Sequence, residues 1–234
     1  MSPGPLTTGF WADIFIPEKS EIMFISVCGV EGAGKTTQIR NIAEYFKTSG
    51  RKYVLTREPG GTDIGKRIRS ILLDPASRNL HPKAELFLYA ADRVQHIQEL
   101  ILPALGQNKV VISDRFVDST TVYQGFARGL DMKTVEKINA MVLDGLKPDI
   151  TFLLDLDPKD GLRRINKQLH TGERTSTESR FEMESLRFHE KIREGFLTLA
   201  QREPERFFIV DAAQPEDEVR SRIIGRLGEA LRNQ

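Results

Sequence analysis

Residues 29–36 read Gly29-Val30-Glu31-Gly32-Ala33-Gly34-Lys35-Thr36. The pattern is that of the phosphate-binding loop G-x-x-x-x-G-K-[ST], whose glycines allow successive backbone N–H groups to turn toward one anion. An apolar run over residues 23–28 precedes the loop and predicts a strand, and a helical pattern begins at Lys35. A complete loop between a strand and a helix predicts a P-loop nucleotide-binding fold and an ATP-dependent phosphotransferase.

The side chains of this loop have predictable roles. Lys35 is expected to reach the β- and γ-phosphates of ATP, and the Thr36 hydroxyl is expected to bind Mg²⁺. We expect the loop and the residue after it to contact ATP: Gly29, Val30, Glu31, Gly32, Ala33, Gly34, Lys35, Thr36 and Thr37. The variable positions of the loop carry no cation. Because phosphoryl transfer generally needs an arginine or an equivalent charge, that charge is expected from another part of the chain.

The composition narrows the class of protein. The 234 residues are 39% hydrophobic and 29% charged, which suits one or at most two globular domains. Lys and Arg total 34 against 33 Asp and Glu, so no charge excess argues for a nucleic acid polymer or a membrane surface as the partner. The single cysteine, Cys28, excludes an internal disulfide, and no apolar run is long enough to span a membrane. These features predict a cytoplasmic protein.

Short β-branched runs alternate with longer helical patterns from residue 23 onward, as in βα units around a mostly parallel sheet. Strands are expected near residues 23–28, 52–56, 109–113, 150–155 and 207–211. Helices are expected from Lys35, after Gly61, from Pro82, near Ser119, Met132 and Pro158, after Arg180 and after Pro215. The predicted fold is a three-layer α/β P-loop domain of about five parallel strands over residues 23–234.

Two segments fall outside this alternation. Residues 1–22 are rich in Pro, Gly and Thr and show no helical or strand period, which predicts a flexible N-terminal extension. The polar stretch 168–179 also lacks an apolar period and is expected to form an exposed, mobile loop.

The segment 56–62, Thr-Arg-Glu-Pro-Gly-Gly-Thr, closes the second predicted strand, at the edge where open parallel sheets bind ligands. Arg57 could hold an anion there. An ordinary strand-to-helix turn with a solvated arginine explains this fragment equally well. The sequence has no guanine-reading Asn-Lys-x-Asp motif after a later strand, which argues against a GTPase.

Tyr89 and Arg93 lie four residues apart on the helix predicted from Pro82, hence on one face of it. Together they offer a flat ring that could stack on a base and a fork of hydrogen-bond donors beside it. Phe87 and the neighbouring leucines are expected to face the core. A buried tyrosine with a surface arginine is the commoner arrangement for such a pair, and it stays open at this point.

The residues Asp114-Arg115-Phe116 follow the third predicted strand, beside the strand of the phosphate loop. An acid at this position could hold Mg²⁺ or its waters, and Arg115 could bridge phosphates. A salt bridge at the end of a strand is the alternative. The polar run Asp118-Ser-Thr-Thr-Val-Tyr-Gln-Gly125 follows directly.

In order and in approximate spacing, these motifs resemble the bacterial thymidylate kinase family. The resemblance begins at residue 23 and reaches the end of the chain, including Leu154-Asp-Leu-Asp-Pro158 and Val210-Asp-Ala-Ala-Gln-Pro215. It implies phosphorylation of dTMP to dTDP with ATP and Mg²⁺, in the synthesis of dTTP. It also implies a homodimer packed through helices that include residues 84–100. Another nucleoside or nucleoside monophosphate kinase, or an inactive nucleotide-binding regulatory module, is the alternative.

The resemblance implies which residues bind dTMP. The thymine ring would stack at Tyr89, Arg93 would hydrogen-bond the base edge, and Tyr123 would crowd the 2′ position of the sugar. Arg57 and Arg115 would hold the 5′-phosphate. The full expected set is Glu31, Arg57, Tyr89, Arg93, Arg115, Ser119, Thr120, Tyr123 and Gln124.

The resemblance also implies where the catalytic charges lie. Lys35, Arg115 and Glu31 would act beside the transferred group, with Thr36 and Asp114 serving the Mg²⁺ ion. Bacterial family members without an arginine in the phosphate loop carry it in a mobile lid, which here would be about residues 164–181. The candidate lid arginines are Arg164, Arg174 and Arg180.

Overall fold

A computed structural model describes residues 23–171 and 179–232. At its centre is a five-stranded sheet, all parallel, in the order β2-β3-β1-β4-β5. The strands are β1 Phe24–Gly29, β2 Tyr53–Arg57, β3 Val110–Asp114, β4 Ile150–Asp155 and β5 Phe207–Asp211. The five predicted strands are confirmed, each to within one residue.

Burial follows the position of each strand in the sheet. Every residue of β1, the middle strand, is buried, as a strand covered on both faces requires. The edge strands expose apolar side chains, with Leu55 of β2 45% exposed and Ile209 of β5 41% exposed. The continuous apolar run before the phosphate loop therefore marks the centre of the sheet.

The helices lie where the sequence pattern predicts them. The α-helices are α1 Lys35–Thr48, α2 Asp63–Leu73, α3 Pro82–His96, α4 Leu102–Gly106, α5 Val117–Thr120, α6 Met132–Leu143, α7 Pro158–His170, α8 Leu186–Arg202 and α9 Glu216–Arg232. A short 3₁₀ turn, Pro75–Ser77, follows α2, and π-helical turns at Ile97–Ile101 and Thr121–Ala127 extend α3 and α5. Pro82 and Pro158 each occupy the first turn of a helix, where the missing N–H leaves no bond unmade.

Helices cover both faces of the sheet. Successive residues of a strand point to opposite faces, and Phe24 and Ile25 accordingly lie in different apolar clusters. The cluster around Ile25 includes side chains of α1, α8 and α9, whereas the cluster around Phe24 includes side chains of α4, α6 and the turn at Ile97–Ile101. The three-layer α/β architecture is thus confirmed. Within the described residues, none of the helices has the length and apolar character needed to cross a bilayer.

The polar stretch predicted as a loop begins inside a helix. α7 continues through His170, whose ring contacts the Asn166 carbonyl oxygen at 2.6 Å, so residues 168–170 are helical. The Asp157 side chain caps α7 by accepting from the Lys159 N–H at 2.8 Å, and the helix needs no apolar period in its exposed last turn. Residues 172–178, with Arg174, and residues 1–22 lie outside the described residues.

Candidate active site

The parallel register brings the ends of several strands to one edge of the sheet. Asp114 at the end of β3 pairs with Val27 of β1 on one side and with Arg57 of β2 on the other. A cavity of about 800 Å³ opens at this edge. Most predicted site residues line it: Glu31, Gly32, Ala33, Gly34, Lys35, Thr36, Thr37, Arg57, Tyr89, Arg93, Asp114, Arg115, Ser119, Thr120, Tyr123, Gln124 and Arg164.

The phosphate loop requires glycine for two reasons. Gly32 and Gly34 have φ angles of 74° and 86°, in the left-handed region that residues with a Cβ rarely adopt. A Cβ on Gly32 would also lie 2.2 Å from the carbonyl oxygen of Gly161, so the loop packs directly against α7. The glycine spacing recognised in the sequence therefore serves both the turn and its packing.

Lys35 is turned back onto its own loop. Its Nζ donates to the carbonyl oxygens of Val30 at 2.8 Å and Gly29 at 3.2 Å. Burial lowers the pKa of Lys35 to about 8, and the neighbouring Arg115 charge acts in the same direction, against the carboxylates of Asp114 and Glu31. Because burial disfavours the charged form of Lys35, an anion bound beside its ammonium group would favour the protonated form and raise the pKa again.

Glu31 stands at the centre of a polar cluster. Its carboxylate accepts from Arg115 Nη2 at 3.0 Å and from the Tyr123 hydroxyl, and it lies 3.3 Å from Nδ1 of His189. Burial would raise the pKa of Glu31, but the His189 hydrogen bond and the charges of Arg115 and Lys35 outweigh it and hold that pKa well below its usual range. The carboxylate is therefore ionised and fixed in position.

His189 is a site residue that the sequence motifs do not predict. It lies on α8, is 1% exposed, and reaches Glu31 only because α8 packs behind the cavity. Nothing in the local sequence around residue 189 separates this histidine from an ordinary core residue.

Arg115 is held in a strained backbone conformation. Its φ is 68°, unusual for a residue with a side chain, and its N–H donates to Val27 O at 2.9 Å. The guanidinium carbon lies 5.0 Å from the centre of the Tyr123 ring. Within the part of the chain that the structure describes, Nη1 is buried without a hydrogen-bond partner. A donor of this kind suits an anionic ligand.

Arg93 and Tyr89 reverse the commoner arrangement, in which the tyrosine is buried and the arginine lies at the surface. Arg93 is 1% exposed, whereas Tyr89 is only partly buried. Arg93 Nε donates to Glu58 Oε2 at 2.8 Å and Nη2 to Thr120 Oγ1 at 2.8 Å. Among the described residues, its Nη1 has no partner. The expectation for Phe87 is wrong: that side chain is 58% exposed, because the inward face of α3 is taken by other residues, including Leu86 and Arg93.

The candidate lid arginines differ in their surroundings. Arg164 lies beside the phosphate loop, where its guanidinium donates to Ala212 O at 3.2 Å and to Gly32 O at 3.5 Å. Arg180 is 5% exposed and donates to Glu85 Oε2 at 2.5 Å and to Leu72 O at 3.0 Å. The structure therefore brings Arg164 to the loop and ties Arg180 to a buried carboxylate. Arg174 lies outside the described residues.

One end of the cavity was not expected from the motifs. It is formed by α7 and by the turn between β5 and α9, and its lining includes Lys167, Gln168, Ala212, Gln214, Glu216 and Val219. The turn belongs to the segment Val210-Asp-Ala-Ala-Gln-Pro215, in which the sequence alone predicts no site residue. The cavity thus extends from the α3 side, across the phosphate loop, to this second end.

Comparisons with known proteins agree on one family. A family model described as thymidylate kinase matches residues 27–223. Thymidylate kinase of Desulfosudis oleivorans is 51% identical over 205 residues, which cover 88% of this chain and 96% of that protein. Thymidylate kinase of Desulforapulum autotrophicum is 50% identical over 209 residues, with coverage of 89% and 92%. The crystal structure of thymidylate kinase from Ehrlichia chaffeensis matches with a TM-score of 0.69 and 34% identity, over 88% of this chain and 98% of that one.

Proposed function

Because the chain belongs to the thymidylate kinase family, we propose that its cavity binds dTMP on the α3 side of the phosphate loop and ATP on the other. The enzyme phosphorylates dTMP to dTDP with ATP as the phosphate donor. The observation that carries the site assignment is the pair of arginines Arg93, which is buried, and Arg115, which is partly buried. Each has one buried nitrogen, Nη1, that is unpaired among the described residues. Both line the cavity that contains Lys35.

The chemistry of the acceptor fits these two arginines. A guanidinium only donates hydrogen bonds, so Arg93 suits the carbonyl edge of thymine and Arg115 suits the 5′-phosphate. Arg57 is the second cation proposed for the phosphate. Glu31 and Tyr123 would border the sugar, and their mutual hydrogen bond leaves little room beside it. Ser119, Thr120 and Gln124 complete the proposed acceptor site.

The donor phosphates are proposed to bind over residues 29–37. Their binding would draw Lys35 away from the carbonyl oxygens of Gly29 and Val30 and toward the transferred group. Because the acceptor oxygen of dTMP already carries negative charge, positioning and charge neutralisation by Lys35 and Arg115 would dominate over proton removal. We propose Arg164 as the lid arginine that assists, since it already lies beside Gly32. Arg180 could take part only if Glu85 and Leu72 released it.

Mg²⁺ is proposed as the cofactor. Asp114 Oδ1 is buried and has no hydrogen-bond partner among the described residues, and the Thr36 hydroxyl lines the same cavity. These oxygens suit a hard cation that is bound mainly through the phosphates of its nucleotide. The described residues contain no group of three or more acidic, histidine or cysteine side chains that could hold a metal alone. The ion would neutralise phosphate charge during transfer.

A substrate panel tests the assignment. ADP release should be fastest with dTMP, compared with dUMP, dCMP, dAMP, dGMP and unphosphorylated thymidine, each at equal concentration with Mg²⁺ and ATP. A preference for another monophosphate or for thymidine would point to a different kinase on this scaffold. Release of ADP that no nucleotide stimulates would instead indicate an inactive nucleotide-binding module.

Replacing Tyr89 by alanine should weaken dTMP binding. Stacking of a base on an aromatic ring is worth about 1–3 kcal/mol by alanine substitution, so the Kd for dTMP should rise about 5- to 150-fold. Because Tyr89 is proposed to touch the base and not the transferred phosphate, kcat should fall much less. Isothermal titration calorimetry with dTMP measures the Kd, and Tyr89→Phe is the matched control that keeps the ring. Equal affinity in Tyr89→Ala and wild type would contradict the stacking role.

ATP affinity should fall as the pH rises through the pKa of Lys35. At a pKa of about 8, roughly 90% of free enzyme carries the proton at pH 7 and roughly 10% at pH 9. Bound phosphates favour the charged form, so binding is intact below pH 8 and is progressively lost above it. The Kd for ATP should therefore rise about tenfold between pH 7 and pH 9. In Lys35→Arg, whose charge persists over this range, the same titration should be nearly flat. A wild-type curve as flat as that of the variant would refute the assignment.

We also propose a homodimer that packs through α3, and a cytoplasmic location. Phe87 of α3 is 58% exposed and Met141 of α6 is 75% exposed, and these two helices pack against each other. Such exposed apolar side chains suit a protein interface. In analytical ultracentrifugation, Phe87→Glu should shift the protein to monomer, whereas Ile209→Glu on the edge strand β5 should not. A dimer that survives Phe87→Glu would exclude this face. Fractionation of cells that produce the chain would test the location.

A further inference from the structure

Arg93 is fixed at two of its three nitrogens. Nε donates to Glu58 Oε2 at 2.8 Å, and Nη2 donates to Thr120 Oγ1 at 2.8 Å. The guanidinium carbon lies 5.5 Å from the centre of the Phe116 ring, which closes one side. Nη1 is buried and unpaired among the described residues, and the side chain lines the cavity. The geometry therefore leaves one nitrogen of Arg93 to meet a ligand.

The carboxylate that holds Arg93 is itself held by a histidine. Glu58 is 4% exposed, and its second oxygen, Oε1, lies 2.9 Å from Nδ1 of His96. His96 is 0% exposed, and its Nε2 lies 2.6 Å from the Thr56 hydroxyl. Since a carboxylate only accepts, Nδ1 of His96 carries the proton that reaches Glu58. A continuous chain of hydrogen bonds thus runs from Thr56 through His96 and Glu58 to Arg93.

The side chains that form this chain of hydrogen bonds have little freedom to move. A Cβ placed on Gly61 would lie 2.4 Å from Cδ2 of His96, so the loop backbone packs directly against the imidazole. The same loop is anchored where Asp92 Oδ1 accepts from the Gly60 N–H at 3.0 Å. His96 and Arg93 are three residues apart on α3 and share one face of it. Backbone packing, and not only side-chain bonding, therefore fixes His96 behind Glu58.

We propose that His96 and Glu58 are positioning residues that aim Nη1 of Arg93 at the base of the acceptor and thereby set its preference for thymine over cytosine. The inference rests on the proposed function, which places the base against Arg93. Thymine presents a carbonyl oxygen at its position 4, where cytosine presents an amino group. A donor that is held rigidly stabilises a bound carbonyl oxygen and destabilises a bound amino group, because the amino group is itself a donor. A guanidinium that is free to rotate can turn away from either group. By holding Arg93 rigid, His96 and Glu58 would therefore make the site discriminate between the two bases.

The matched variants are His96→Leu and His96→Asn. Leucine keeps much of the volume but removes both nitrogens, whereas the asparagine amide can place a donor near the position of Nδ1 and still bond Glu58. For each enzyme, the assay measures KM and kcat for dTMP and the inhibition constant of dCMP as a competitor of dTMP. The dTMP and dCMP molecules share sugar and phosphate, so their comparison isolates the base.

The expected result is selective. In His96→Leu, KM for dTMP should rise about tenfold, kcat should stay within about threefold, and the inhibition constant of dCMP should stay the same or fall. His96→Asn should stay close to wild type on all three. The Kd for ATP serves as the folding control and should not change in either variant. An unchanged KM for dTMP in folded His96→Leu would overturn the inference, as would an equal weakening of dTMP and dCMP.

A second pair decides the question if His96→Leu does not fold. Thr56→Val removes the hydroxyl at the outer end of the chain in a partly exposed strand position, and Thr56→Ser keeps it. Thr56→Val should raise KM for dTMP about threefold without raising the inhibition constant of dCMP. Thr56→Ser should leave KM for dTMP unchanged. Identical behaviour of Thr56→Val and wild type would then overturn the inference. Failure of the proposed function is distinct from both results, because wild-type enzyme would then release no ADP with dTMP.

Discussion

Arg115→Ala should lower kcat for dTMP phosphorylation by about 10³-fold, since arginines that stabilise a transferring phosphoryl group contribute 10³ to 10⁵ in rate. The structure places this guanidinium between Glu31, 3.0 Å away, and the Tyr123 ring, with Nη1 unpaired among the described residues. Removing it would take away a charge proposed to bridge acceptor and donor. The positive φ of residue 115 adds no complication, because alanine and arginine both carry a Cβ.

Steady-state kinetics with saturating ATP and dTMP measures this effect. Arg115→Lys is the matched control, and it should recover part of the rate, because it keeps the charge but not the planar fork of donors. Unchanged thermal unfolding would show that the fold survives in both variants. A loss of kcat smaller than about tenfold in Arg115→Ala would contradict a role in transfer and leave Arg115 as a strand-end ion pair with Glu31.

Arg206→Ala should cause a large loss of stability. Arg206 is 7% exposed and binds both oxygens of Asp118, with Nη1 and Nη2 each at 2.8 Å, and Nη1 also donates to Thr151 at 2.7 Å. Asp118 is 3% exposed. Removal of the arginine leaves that carboxylate buried without its counter-charge, which costs about 3–5 kcal/mol of unfolding free energy. Urea denaturation followed by circular dichroism measures the loss.

The double variant Arg206→Met with Asp118→Leu separates the two explanations of such a loss. If the cost comes from an uncompensated buried charge, removing both charges should restore most of the stability. If the loss of unfolding free energy in the double variant equals the sum of the losses in Arg206→Met and Asp118→Leu, the pair does not act as a unit. A loss below about 1 kcal/mol in Arg206→Ala would show that the charge reaches water.

The position of this pair connects stability to the acceptor site. Asp118 immediately precedes Ser119 and Thr120 on α5, and Arg206 lies just before β5. Thr120 in turn accepts from Nη2 of Arg93. The Asp118–Arg206 pair therefore anchors the helix whose side chains border the proposed base site.

The sequence predicted the backbone well, because the signals involved are local. Strand positions follow from apolar runs that are buried on both faces, and helix starts follow from Pro82, Pro158 and the end of the phosphate loop. The motifs also identified most of the side chains that line the cavity, since parallel strands deliver their carboxyl ends to one edge. Both kinds of prediction depend on residues that are neighbours in the chain.

The contacts that fix those side chains could not be predicted in the same way. His189 lies against Glu31, His96 against Glu58, and Arg180 against Glu85, in each case between segments that are far apart in the sequence. The error on Phe87 has the same origin, because helical periodicity defines a stripe but not which side of α3 meets the sheet.

By itself, the sequence determined a P-loop phosphotransferase fold, the family resemblance and the residue types around the proposed nucleotide site. Only the tertiary structure decided that Arg93 is buried with one donor left unpaired among the described residues, and that Glu31 is held by three partners. The physical reason is the range of the forces involved. Backbone conformation and glycine turns depend on a few adjacent residues, whereas hydrogen bonds and ion pairs between elements require packing to within about 3 Å.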